Sequence, residues 1–282
     1  MDAMIGIMKR RFSCRKYLEC PISADAQEKL AHFLEAQTTG PFGSRVRFTL
    51  IAATKEDCQA LEGLRTYGII RSPQGFVIGA MGPGTKNLED FGYMMEQAVL
   101  TATGLGLGSC WIGGTFNKSA FALKMNLMED ETMPAVAAVG YIADKEKAAA
   151  KLANIKRLPP DKLFFTEAFD TPLPLAPSDP YTTVLDAVRG APSASNKQPW
   201  RIVRQNQTWH FYLQRNKGYG QDSLVGRWLG VADLQRVDVG IAMCHFELAA
   251  RELGLPGRWD IAEPAIRKPD TLTEYTASWI TA

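Results

Sequence analysis

The sequence predicts an α+β fold in which two related α/β halves, fused in one chain, pack through buried central helices. Three observations predict it. First, residues 90–111 align without a gap on residues 238–259, a spacing of 148, with nine of 22 positions identical. The identities are Asp90/Asp238, Gly92/Gly240, Met95/Met243, Leu100/Leu248, Ala102/Ala250, Leu105/Leu253, Gly106/Gly254, Leu107/Leu255 and Trp111/Trp259. That period is far longer than a solenoid repeat and reads as a duplicated domain. Second, the helical segment 91–107 carries Glu96 as its only charge, and a helix apolar on every face belongs in the interior. Third, short alternating apolar runs bounded by Gly and Pro read as strands in both halves. Halves of this kind pack face to face, like a homodimer fused in one chain.

The elements follow in order. Residues 5–11 read as a short helix. Ser23 caps a helix over residues 23–36, whose stripe is Ala26, Leu30, Phe33 and Leu34. A loop at 38–44 leads to a strand at 46–53, a short helix at 55–64 and a second strand at 76–81, closed by Gly82-Pro83-Gly84. After the central helix comes a glycine run over residues 104–114. It is no dinucleotide fingerprint, because the glycines follow a helix instead of joining a strand to one. Gly106 or Gly108 reads as a helix cap with a tight turn, and Gly113-Gly114 leaves bare backbone able to approach a flat ligand. Residues 117–125 read as a helix and 135–142 as a strand, completing a first half over 1–145.

Residues 146–179 form a crossover, helical at its start and extended later, rich in proline from Pro159 to Pro180. Leu163, Phe164, Phe165 and Phe169 make it too apolar for a free linker and predict packing along the surface. The second half, 180–282, has a helix at 180–189, strands at 201–204 and 209–214 in a hairpin about Asn206-Gln207, and a helix from Asp238 to Leu253.

Composition narrows the function. A net charge of +2 gives no global argument for nucleic acid. Five cysteines without a CxxC pair and only three histidines disfavour structural zinc. Thiols of this kind suit a reduced compartment. With no signal-peptide layout at the N-terminus and no bilayer-spanning segment, a soluble cytoplasmic protein is the expectation.

Two stretches carry chemistry. Ala191-Pro192-Ser193-Ala194-Ser195-Asn196-Lys197-Gln198-Pro199-Trp200 frames hydroxyls and carboxamides between two prolines. The prolines push Ala191 and Gln198 towards extended backbone, and rigid polar loops are where binding residues sit. Read blandly, it is an ordinary helix-to-strand connection. Arg10-Arg11-Phe12-Ser13-Cys14-Arg15-Lys16-Tyr17 gathers cations and a hydroxyl able to hold an anion, or to form a solvated basic turn.

Arg11-Phe12-Ser13-Cys14-Arg15-Lys16-Tyr17 resembles the R-R-S-x-R-x-[FY] motif of FMN-dependent nitroreductases. The stretch from Ala191 to Trp200 resembles that family's A-P-S-x-x-N-x-Q-P-W, the most specific of the matches. The run Leu105-Gly106-Leu107-Gly108-Ser109-Cys110-Trp111-Ile112-Gly113-Gly114 resembles its helix-end motif, and Gly140-Tyr141 its last core strand.

The resemblance implies a nitroreductase-like fold binding FMN between two halves. The first half has the arginines and the second has the Pro-Ser-Asn loop, which implies the single-chain, duplicated branch with one complete site. In the other cleft, residues 39–44 would face residues 172–176, with no arginine to meet a phosphate. By resemblance, Arg11, Ser13 and Arg15 hold the phosphate and ribityl chain, and Arg157 adds a second basic contact. Pro192, Ser193 and Asn196 line the flavin within a loop that includes Ala194, Ser195 and Gln198. Gly113 and Gly114, following Trp111 and Ile112, approach N5, and Arg71 is available for the pyrimidine edge. Phe12 replaces the usual second basic residue and Ala194 a frequent second serine, each removing a polar contact.

The implied activity is a ping-pong oxidoreductase taking electrons from NAD(P)H to a nitroaromatic, quinone or similar small oxidant, in a chain that needs no partner to complete its site. No metal, nucleic acid or membrane partner is expected, and no side-chain acid or base is implied. Alternatives are an FMN-binding storage or sensor protein and a protein for another phosphorylated ligand.

Overall fold

In the computed structural model, which describes residues 3–54, 57, 59–218 and 231–282, the chain builds two sheets on either side of a crossed helix pair. The first sheet comprises β1 (Val46–Ala52), β2 (Gly75–Met81), β3 (Gly108–Ile112) and β4 (Val136–Gly140), ordered β1-β2-β4-β3 and antiparallel throughout. Residues of β2 and β4 are buried along their whole length, which is why both read as continuous apolar runs. Helices α1 (Met4–Arg10), α2 (Ala24–Ala36), α3 (Asn87–Gly104) and α4 (Lys118–Met125) belong to this half. Ser23 caps α2 by accepting from Ala26 N, and Asn117 caps α4 by accepting from Ala120 N.

Past α5 (Lys145–Ala153), the crossover supplies β5 (Phe164–Thr166) and β6 (Ala168–Pro172). These join α6 (Tyr181–Gly190), β7 (Trp200–Gln205), β8 (Thr208–Gln214), α7 (Leu234–Glu252), β9 (Gly257–Asp260) and β10 (Thr273–Thr281). The second sheet is ordered β6-β5-β7-β8-β10-β9. Its β7-β8-β10-β9 portion follows the same order and antiparallel pairing as β1-β2-β4-β3. β5 is added parallel to β7.

The two sheets meet through α3 and α7, whose crossing is set by glycine. A Cβ on Gly92 would lie 2.1 Å from the carbonyl oxygen of Val237, and one on Gly240 would lie 2.0 Å from that of Glu89. Only hydrogen fits at either place, so the backbones touch. The contacts are reciprocal across the 148-residue spacing. Both helices begin earlier than the apolar pattern indicates, because buried Glu89 forms a bidentate pair with Arg236 at 2.6 and 2.8 Å.

The structure corrects several sequence expectations. Residues 108–112 form a strand, not a tight turn. α3 ends at Gly104, Gly106 with φ +80° makes the turn expected there, and β3 then pairs with β4. The crossover does not simply lie on the surface: Leu163 and Phe164 are fully buried and β5 is part of the sheet. Of the helix expected at 55–64, residues 55, 56 and 58 lie outside the described residues, and residues 59–63 form turns. Gln198, expected extended before Pro199, has φ +48°. Among the described residues, no helix is long and apolar enough to cross a membrane.

Candidate functional site

The arginine-bearing segment is stitched to the edge of the first sheet. Ser13 bridges to Ser109, and Cys14 N donates to Ser109 O at 2.8 Å. Arg71 N donates to Arg15 O at 2.9 Å, and Tyr17 N donates to Arg71 O at 3.1 Å. Tyr17 Oη lies 2.8 Å from Cys14 O and 3.1 Å from Ala138 O, fixing the segment from beneath. Phe12 and Cys14 are buried in the first-half core, while Ser13 and Arg15 between and beyond them line a cleft. This is the alternation of an extended chain.

The opposing wall is the loop after α6. Ser195, Asn196 and Gln198 all have left-handed φ, at 50°, 56° and 48°. Such backbone persists only where surroundings over-determine it, and here they do. Asn196 N donates to Ser193 O at 2.9 Å and Gln198 N to Ser193 Oγ at 2.9 Å. Ala194 N donates to Asp238 Oδ1 at 2.9 Å. Leu158 N donates to Gln198 Oε1 at 2.8 Å, and Asn196 Nδ2 to Lys156 O at 2.7 Å.

Ser13, Arg15, Trp111 and Gly113 from the first half therefore face Pro192, Ser193, Ala194 and Ser195 from the second across one cleft. Asp238 also lines it. Burial pushes the Asp238 carboxyl well above the usual carboxylate range, and its Oδ2 has no hydrogen-bond partner among the described residues. Its repeat counterpart Asp90 uses both oxygens, accepting from Phe42 N and Ser44 N at 2.9 Å each. The same aspartate thus anchors a loop in each half, but only Asp238 keeps an oxygen in reserve.

Other sequence-named residues sit elsewhere. Arg11 and Phe12 line a neighbouring cavity with Thr103, Gly106 and Ser109. Ile112 points into the core, and Gly114 is exposed, outside the cleft lining. A Cβ on Gly113 would meet Leu234 at 2.5 Å, whereas one on Gly114 meets Val231 at an ordinary 3.6 Å. Asn196 and Gln198 spend their carboxamides on the crossover. Asn196 Oδ1 accepts from Arg157 Nη1, whose Nη2 donates to Gly190 O at 2.7 Å. The second cleft also differs from expectation: beside Thr39, Gly40 and Pro41 it has Trp259 and two arginines, Arg251 and Arg258, and none of residues 172–176. Arg251 Nε donates to Glu247 Oε1 at 2.7 Å in that cleft.

The cationic corner fits an anion. Arg11 is buried, yet among the described residues its Nε and Nη1 have no hydrogen-bond partner, as is true of buried Ser109 Oγ. Glu96 lies 3.9 Å from Nε. Arg157 is held down at about 10, first by burial and then by Arg11 and Arg189. Donors and positive charge are in surplus here, and a phosphate supplies what is missing. Asp238, Glu96, His245 and Leu234 were not picked out as site residues from sequence. Asp238 had a signal, its identity with Asp90 across the repeat.

Two sheets joined by crossed central helices, with a polar cleft between them, make a mixed α/β protein. The chain belongs to the family described as "Putative TM nitroreductase", whose model matches residues 3–250. A structure described as a putative nitroreductase from Thermotoga maritima is 18% identical, with a TM-score of 0.61, and the match covers 99% of this chain and 94% of that one. A nitroreductase with bound FMN from Bacteroides fragilis is 23% identical, with a TM-score of 0.39, covering 51% of this chain and 90% of its own. A Desulfovibrio desulfuricans protein in complex with FMN is 20% identical, with a TM-score of 0.41, covering 56% and 99% respectively. No curated protein matches.

Proposed function

We propose that this chain is an FMN-dependent oxidoreductase that passes electrons from NAD(P)H to a nitroaromatic, a quinone or a similar small oxidant in a ping-pong cycle. The observation that carries the reading is the meeting of Ser13, Arg15, Trp111 and Gly113 with residues 192–195, near an Arg11 whose Nε and Nη1 have no hydrogen-bond partner among the described residues. Family membership supports the oxidoreductase class. When bound, FMN supplies hydride acceptance and release at N5.

The chain's own residues bind and orient. Arg11 meets the phosphate with charge-assisted donors, and Arg157, whose Nη1 and Nη2 bond Asn196 and Gly190, adds positive charge nearby. Ser13 and Ser193 offer hydroxyls to the ribityl chain, and Arg15 brings positive charge to the ring. Gly113 contributes bare backbone to the cleft, with Leu234 packed where its side chain would be. Asn196 and Gln198 act indirectly, by tying the loop to residues 156–158.

We read the two halves as an internal duplication about a pseudo-two-fold axis, with boundaries at 1–145, 146–179 and 180–282. Matching strand orders, the reciprocal Gly92 and Gly240 contacts and the paired roles of Asp90 and Asp238 support it. One chain then completes one site. In the second cleft, Arg251 is paired with Glu247, whose carboxylate opposes a phosphate, and Arg258 is exposed to solvent.

The test is the ligand itself. Heat-denatured protein should release one FMN per chain, seen in its absorption spectrum, and the holoprotein should oxidise NAD(P)H with a nitroaromatic or quinone above the rate of free FMN. Release of FMN without turnover identifies a storage or sensor protein. A different chromophore, or none, overturns the reading.

A further inference from the structure

Glu96 of α3 is fully buried where the two halves meet, and every group around it bears on Arg11. Its Oε2 accepts from Trp111 Nε1 at 2.7 Å. Its Oε1 lies 3.0 Å from His245 Nε2 and 3.9 Å from Arg11 Nε. The other ring nitrogen of His245, Nδ1, lies 3.0 Å from the carbonyl oxygen of Ala187. A carbonyl only accepts, so Nδ1 carries a hydrogen. The remaining contact, between Nε2 and Oε1, needs one proton more. Whether that proton sits on nitrogen or oxygen, the Glu96–His245 pair is electrically neutral. The three groups together therefore keep the net positive charge of Arg11, although a carboxylate stands beside it.

We propose that His245 is a specificity-determining residue for a phosphorylated flavin: by sharing a proton with Glu96, it keeps that carboxylate from neutralising Arg11. This rests on the phosphate reading of Arg11 given above. His245 does not touch the cleft; it acts through Glu96 and Arg11. Loss of the shared proton leaves a net negative charge within 4 Å of the guanidinium, and that charge competes with phosphate for it. The neighbours from each packed element are Arg11 after α1, Arg157 from the crossover, Trp111 and Cys110 from β3, and Cys244 and Glu247 from α7. Burial pushes both thiols up, so neither supplies charge near neutrality.

The experiment measures dissociation constants of FMN and riboflavin with the apoprotein, by flavin fluorescence, at about pH 7.5 and fixed ionic strength. Wild type should prefer FMN. His245→Gln should weaken FMN by about tenfold and leave riboflavin unchanged. Adding Glu96→Gln to that variant should restore FMN affinity, a rescue that lost packing would not produce. Riboflavin binding reports folding in every variant. A preference for FMN that His245→Gln does not alter overturns the inference. Equal weakening of both flavins in His245→Gln also overturns it. Equal affinity for FMN and riboflavin in wild type is a different failure, because it removes the phosphate reading itself.

Discussion

Gly92→Ala sets two effects of opposite sign against each other. By helix propensity alone, replacing an interior helical glycine with alanine stabilises by about 0.5–1 kcal/mol. The new Cβ, however, would lie 2.1 Å from the Val237 carbonyl oxygen. Ordinary contact needs more than another 1 Å, roughly, and backbone in a close-packed interior yields poorly. Overpacking of this kind costs about 1–3 kcal/mol. We therefore expect a net destabilisation of about 1–2 kcal/mol, seen in urea titration as a lower midpoint at unchanged slope. Gly240→Ala, 2.0 Å from Glu89 O, should behave alike. Both substitutions push the same crossing apart, so the double variant should cost less than the sum by about 0.5 kcal/mol or more. Gly190→Ala is the control, with nothing within 4 Å of its added Cβ at the end of α6, and should be neutral or mildly stabilising. A Gly92→Ala protein more stable than wild type, or strictly additive costs, would refute the reasoning.

Further outcomes follow from the site. Arg11→Ala should weaken FMN by about 1.5–3 kcal/mol more than riboflavin, measured by fluorescence titration; equal losses would assign Arg11 to the fold alone. Gly113→Val should lower flavin content, since even a Cβ there meets Leu234 at 2.5 Å, whereas Gly114→Val should retain flavin; the reverse order in released flavin would displace the cleft. Asp238 has a raised folded pKa, so its stabilising contribution is complete below the ordinary 3.8 and is lost as pH rises through the folded value. Asp238→Asn should thus gain stability relative to wild type as the apoprotein is moved from pH 4 towards neutrality; a pH-independent difference in urea midpoints would reject that.

The legible parts of the fold were those whose signal is local. α3 announces itself by being apolar on every face and α7 by its likeness to α3, and β7 and β8 by alternation around a turn at Asn206. β3 was hidden because Gly108-Ser109-Cys110 looks like turn chemistry. Those small residues are required by packing, a Cβ on Gly108 meeting Cys14 and Ile142 within 3 Å. β10 drew no expectation, and a register shift between Tyr275 and Ala277 breaks the alternation that marks a strand. In the site, the motifs brought Ser13 and Arg15 to residues 192–195. They misjudged Asn196 and Gln198, because a carboxamide's sequence reveals what it can bond and not what it meets. Its partners at 156–158 approach only once the crossover has folded.

That crossover also governs how the halves respond to dilution. Since α5, β5 and β6 run unbroken from the first sheet into the second, the encounter of α3 with α7 is intramolecular. Tethers of this kind set effective concentrations of about millimolar, whatever the amount of protein in solution. Two separate chains joined by the same surface would drift apart at nanomolar levels by mass action. Here the cleft between Arg15 and Ser193 keeps both walls at any concentration, and severing the chain between α5 and β5 would make its assembly second-order.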